Sequence, residues 1–207
     1  MKNSLLVFCF TSISISLSGQ SGQLRVGTAC VDVSPTVTPF QLRSGKSSFV
    51  HDPLHVRAVA FECGEGRAVI CLIDAIGIGR EMSDLAKSKA AKKTGWKTEE
   101  MLICATHTHS TPKGGTGKPA REAYEKLKHD KLEEAIVLAI ERLKPAKVGF
   151  SSEDEPSEVR NRRWFLEPGT MPPNPLGEKD QVKTNAGRNH LVRPAGPVDP
   201  EICVIDV

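Results

Sequence analysis

At 207 residues, with 39% hydrophobic and 26% charged content, the chain has enough apolar material for one globular domain and is not disordered by composition. A net charge of +3, with the basic residues dispersed or gathered on one helix, excludes the concentrated basic face of a nucleic-acid-binding protein.

Residues 1–22 read as an export leader, with Lys2, an apolar stretch from Leu5 to Leu17, and small residues Ser16, Ser18 and Gly19 suited to cleavage. The mature chain is expected to begin between Gly19 and Gln23 and to be secreted or periplasmic. The apolar stretch is too short to span a bilayer, and no transmembrane segment is expected once it is removed. Cys9 lies inside the leader without the small residues of a lipoprotein box. Cys30, Cys63, Cys71, Cys104 and Cys203 remain, an odd set placed mostly in apolar runs, and they read as small hydrophobes rather than a disulfide framework.

Leu24–Val33 forms the first expected strand, stopped by Ser34-Pro35, and a loop rich in Ser, Pro and Gly runs on to Pro53. Val56–Cys63 and Ala68–Ile73 are apolar runs joined by Gly64-Glu65-Gly66-Arg67, a hairpin pattern. The second run is apolar throughout, which predicts a strand covered on both faces. Asp74 at its end either caps a turn or faces the crevice outside the strand ends, where ligands gather in open α/β sheets. A helix is expected over 80–94, with Met82, Leu85, Ala86 and Ala90 on one face, its lysines in solvent and Gly95 as the stop. Met101–Ala105 is a short strand, and the order strand, helix, strand predicts a parallel pair joined by a right-handed crossover.

That strand runs into Ala105-Thr106-His107-Thr108-His109-Ser110. Side chains alternate along an extended chain, so His107 and His109 point one way while Thr106 and Thr108 point the other. Imidazoles are zinc ligands, and a catalytic zinc takes about three protein ligands plus an open position, so the pair would need help from elsewhere. The same spacing also suits two exposed loop histidines. Gly117-Lys118 does not make a phosphate-binding loop, because Pro119 follows where Ser or Thr is required. Residues 120–143 form an amphipathic helix with Tyr124, Leu127, Ala135, Ile136, Ala139, Ile140 and Leu143 as core, while His129 falls outside that stripe and reads as solvated. A strand over 146–151 and an acidic loop over 153–158 follow. Asn161-Arg162-Arg163-Trp164 sets two guanidinium groups beside an indole, either to grip an oxyanion or to form a salt-bridge and stacking cluster. Residues 167–200 lack periodicity and read as one long loop, in which nothing supports a metal role for His190. Residues 201–207 are a last strand.

Several of these segments, VDVSP at 31–35, DPLHVRAVAF at 52–61, AVICLIDAIGI at 68–78, ATHTHS at 105–110, NRRW at 161–164 and GPVDPEICVI at 196–205, occur in the order found in one family. Together they resemble the N-terminal domain of the neutral/alkaline non-lysosomal ceramidases, in particular the shorter secreted bacterial ceramidase-like proteins, over nearly all the chain after its first two dozen residues. The resemblance implies an α/β domain with a mixed sheet and covering helices, residues 23–207 being an incomplete N-terminal part of the catalytic domain. It implies a zinc-dependent amidase that cleaves ceramide to sphingosine and fatty acid, or a metal-dependent hydrolase of another acyl amide or ester, with a lipid-like or acyl-amide substrate. By the same match His107 is a Zn2+ ligand and His109 sits beside the metal water or scissile group. Asp74 stands where the family keeps an acid, and Arg162, next to Asn161, reaches the substrate. Two departures stand out: Thr111 replaces a glycine of the usual loop, and Arg163-Trp164 replaces Ser-Pro, so the substrate need not be ceramide. The family's remaining zinc ligands would lie beyond Val207, so this chain alone is expected to be inactive on ceramide, a non-catalytic fragment or truncated homologue.

Overall fold

The computed structural model describes residues 22–36, 39–42, 45–47, 49–112 and 118–207, and the segment expected to be an export leader, apart from Gly22, lies outside the described residues. The chain divides into two compact units, Met1–Lys147 and Val148–Val207.

Unit one contains β1 (Arg25–Asp32), the short pair β2 (Phe40–Gln41) and β3 (Lys46–Ser47), β4 (His55–Cys63), β5 (Gly66–Ile73), α1 (Arg80–Thr94), β6 (Met101–Ala105), α2 (Lys118–Glu141) and β7 (Lys144–Pro145). Five of its strands form a mixed sheet in the order β6-β5-β4-β1-β7, antiparallel except for the parallel β5–β6 pair. The β4–β5 hairpin turns where expected, with Gly64 at φ 58, a left-handed value that glycine adopts without a Cβ clash.

Alternation along the strands decides the core. Val56, Ala58 and Ala60 of β4, Val69, Cys71 and Ile73 of β5, and Met101 and Ile103 of β6 face Ala86, Ala90, Leu132, Ala135, Ile136 and Ala139 of the two helices. Both helices pack on this one face, so the expectation that β5 is covered on both sides fails within unit one. Ile70 is 44% exposed and Leu102 56% exposed on the opposite face. A continuous apolar run therefore does not imply two covering layers when every second residue alone reaches the core.

Helix α1 ends as predicted, with Gly95 at φ 75 and its N–H donating to the Ala91 carbonyl. Leu85 is exposed rather than core, because the face against α2 narrows to Ala86 and Ala90. Nor are all the lysines free in solvent, since Lys93 lies 2.6 Å and Lys89 3.8 Å from the carboxylate of buried Glu133 on α2. Gly27 explains how closely α2 can approach the sheet: a Cβ there would stand 2.0 Å from the Ala139 carbonyl oxygen.

Unit two pairs β8 (Gly149–Asp154) antiparallel with β12 (Glu201–Asp206), and β9 (Arg163–Leu166) lies between β10 (Lys183–Thr184) and β11 (Leu191–Pro194). The stretch read as one long loop thus holds two strands, of two and four residues, too short to show a period. No side chain of this unit is fully buried. Of the five cysteines among the described residues only Cys71 is buried, and Cys30 and Cys203 are exposed. No described helix is long and apolar enough to cross a membrane.

Candidate functional site

The parallel β5–β6 pair brings the two strand ends to one edge of unit one, where the Thr106 amide still donates to the Ile73 carbonyl at 3.0 Å. One residue later the strand geometry breaks, because His107 adopts a left-handed backbone with φ 60. The simple alternation argument does not hold at that residue, yet the two rings converge. Their centroids are 5.1 Å apart with planes at 72°, and Nε2 of His109 is 3.5 Å from Nε2 of His107.

The other nitrogen of His107 fixes its tautomer. Nδ1 lies 2.6 Å from the Ile76 carbonyl oxygen, which can only accept, so Nδ1 carries the proton and Nε2 presents a lone pair. A carbonyl on the far ring nitrogen is how metal-binding histidines are oriented. Nε2 of His109 lies within hydrogen-bonding reach of the His107 lone pair, close enough to serve a group bound at that nitrogen. Both rings are exposed. Among the described residues no three His, Cys, Asp or Glu side chains gather to hold a metal, so the pair supplies two donors and no more.

Asp74 turns to the other side of the motif. Its Oδ2 accepts from the His55 amide and from Arg57 Nη1, both at 2.9 Å. Burial pushes this carboxyl up, but the His55 amide, Arg57 and Thr106 together outweigh it and hold the pKa below the ordinary value. With Thr106, Thr108 and Ser110 it lines a cleft to which Phe40, Phe49 and Leu54 also contribute. The carboxylate is therefore tied into the fold on the threonine side of the chain, while His107 is anchored through Ile76.

In unit two, Asn161 is a clasp. Its Nδ2 donates to the Gly196 and Pro197 carbonyls at 3.0 Å each, its Oδ1 accepts from the Arg163 amide at 2.8 Å, and its carbonyl accepts from the Trp164 indole at 2.8 Å. The Arg162 carbonyl accepts from the Asn185 amide at 2.8 Å, and its side chain is exposed. The stacking partner of this region is Arg193, whose guanidinium lies 3.9 Å from the Phe165 ring centre.

Two residues depart from their sequence reading. His129 is 7% exposed rather than solvated, with Nδ1 3.2 Å from Asp130 and Nε2 without a partner among the described residues. Tyr124 is core as expected, but its hydroxyl also lacks a described partner, and burial raises its pKa. What residue-type reasoning missed was the Ile76 carbonyl, a backbone group that no side-chain pattern reveals.

The arrangement is a mixed α/β domain that presents two convergent histidines at the end of its one parallel strand pair. No protein-family model matches the chain and no curated protein does. Solved structures do: it is similar to neutral ceramidase from Pseudomonas aeruginosa, at 18% identity and a TM-score of 0.60, covering 89% of this chain and 29% of that one. A structure of ceramidase complexed with C2 matches at 17% identity and the same TM-score, covering 89% and 28%. The fold is therefore ceramidase-like, and the chain spans less than a third of the length of either neighbour.

Proposed function

We propose that this chain carries the first part of the metal site of a zinc-dependent amide hydrolase of the neutral ceramidase type, exported and acting on an acyl amide. The observation that supports this is the His107 tautomer, its Nε2 lone pair freed by the Ile76 carbonyl and aimed beside His109 Nε2. The ceramidase-like fold supports it as well.

In this reading His107 holds the metal. Bound zinc polarises a carbonyl and lowers the pKa of its water. His109, with Nε2 3.5 Å from that of its neighbour, orients the scissile group and moves a proton there. Arg162 grips a substrate oxygen through its fork of N–H donors, and Asn161 fixes the backbone on either side of it. Asp74 sets the strand end from which the motif leaves.

The test is zinc retention by a version of the protein with a complete metal site, comparing His107→Ala with His109→Ala. His107→Ala should abolish binding while His109→Ala keeps most of it. Equal losses would make both residues ligands and remove the proton-handling role, and zinc retained in both variants would overturn the proposal. A panel of N-acyl substrates then separates ceramide from other amides.

A further inference from the structure

We propose that the cleft on the threonine side of the motif binds a neutral polyhydroxylated group, such as the sugar of an N-acylated amino sugar. The cleft itself needs no metal, but its use as a substrate subsite rests on the hydrolase reading above.

The argument is an account of donors, acceptors and charge. Asp74 offers about four lone-pair sites and accepts two hydrogen bonds among the described residues, both on Oδ2, which leaves Oδ1 to accept from a ligand. Thr108 Oγ accepts from the Ser110 amide at 3.2 Å, so its proton is free to donate. The Ser110 hydroxyl makes no hydrogen bond among the described residues. A hydroxyl ligand, which both donates and accepts, matches this mixed row; an alkyl chain would leave it without partners, at a cost for each group.

Charge points to a neutral ligand. Asp74 is paired with Arg57 at 2.9 Å, and no Lys or Arg is among the described residues lining the cleft, so the described lining offers no cation to hold an anionic ligand. Phe49, 64% exposed, lines the same cleft and presents an apolar ring to the C–H face of a sugar. Thr106, Thr108 and Ser110 are chain neighbours of His107 and His109, so a ligand in the cleft would lie next to the proposed metal-binding segment.

A sphingoid base carries hydroxyls too, so the experiment has two arms. N-acetylglucosamine and N-hexanoylsphingosine are each titrated into the purified protein with EDTA present, followed by saturation-transfer NMR and calorimetry. The expected result is saturable sugar binding that weakens about tenfold in Phe49→Ala and in Ser110→Ala, with thermal midpoints near wild type. No saturable sugar binding, or binding unchanged in both variants, would overturn the proposal. Binding of N-hexanoylsphingosine alone would also overturn it, assigning the cleft to a lipid head group. Zinc retention measured separately on the same variants shows whether the metal site stands or falls independently.

Discussion

Asp74 ties the end of β5 to β4 through the His55 amide and Arg57. Its pKa is depressed in the folded state, so its contribution to stability is present above the unfolded carboxylate value, about 3.9, and is lost as pH falls through the folded value. Asp74→Asn should therefore lower stability at pH 7 by about 1–2 kcal/mol, allowing for the half-exposed Arg57 partner, and should flatten the acid limb of the stability curve. Urea unfolding at several pH values between 2 and 7 checks both; a variant as stable as wild type would leave the carboxylate without a structural role. Cys71 works in the opposite direction. Burial pushes its thiol up to about 12, so stability present below the unfolded thiol value, about 8.5, is lost as pH rises toward 12. Thermal midpoints above pH 9 should fall less steeply in Cys71→Ala than in wild type, and the native thiol should resist alkylation at pH 8.

At the scale of elements, two glycines act for different reasons. Gly27 sits where α2 crosses β1, and a Cβ there would meet the Ala139 carbonyl oxygen at 2.0 Å and Arg142 and Leu143 backbone atoms at 2.8 Å. Gly27→Ala should cost about 2–3 kcal/mol by forcing helix from sheet, whereas Gly95→Ala, in open space but at φ 75, should cost about 1 kcal/mol. Chemical denaturation of the pair ranks them; the reverse order would mean that α2 yields easily at that crossing. The elements themselves were largely legible. β1, the β4–β5 hairpin, α1 with its Gly95 stop and the parallel β5–β6 crossover all follow from periodicity and turn residues. Three side-chain positions were not. Leu85 shares the apolar face of α1 in sequence yet is exposed, because a helical stripe does not say how wide the contact face is, and Ile70 is exposed because a strand's apolar run does not say which face is covered. His129 was assigned to solvent, but the contact arc of α2 extends around to Glu133. At the site, the sequence located both histidines, but the carbonyl that sets the His107 tautomer comes from a residue 31 positions away.

Across the whole molecule, burial is distributed unevenly. The hydrophobic core lies entirely in unit one, while in unit two Phe150, Ile202, Val204 and Ile205 are between 48% and 75% exposed. Hydrogen exchange should show slow amides in β4 and β5 and fast exchange in β8 and β12, since protection follows packed apolar contact. Equal protection in both would mean that unit two is packed by something beyond its own strands. The left-handed backbone at His107 bears on the stability of the molecule as a whole. An L-residue held there costs about 1–2 kcal/mol that glycine would not. His107→Gly should therefore melt at a higher temperature than His107→Ala and leave a ring-sized vacancy beside His109, into which free imidazole could be soaked to restore metal affinity. Glycine would be the more stable occupant of this backbone conformation, so the His107 side chain comes at a cost in stability.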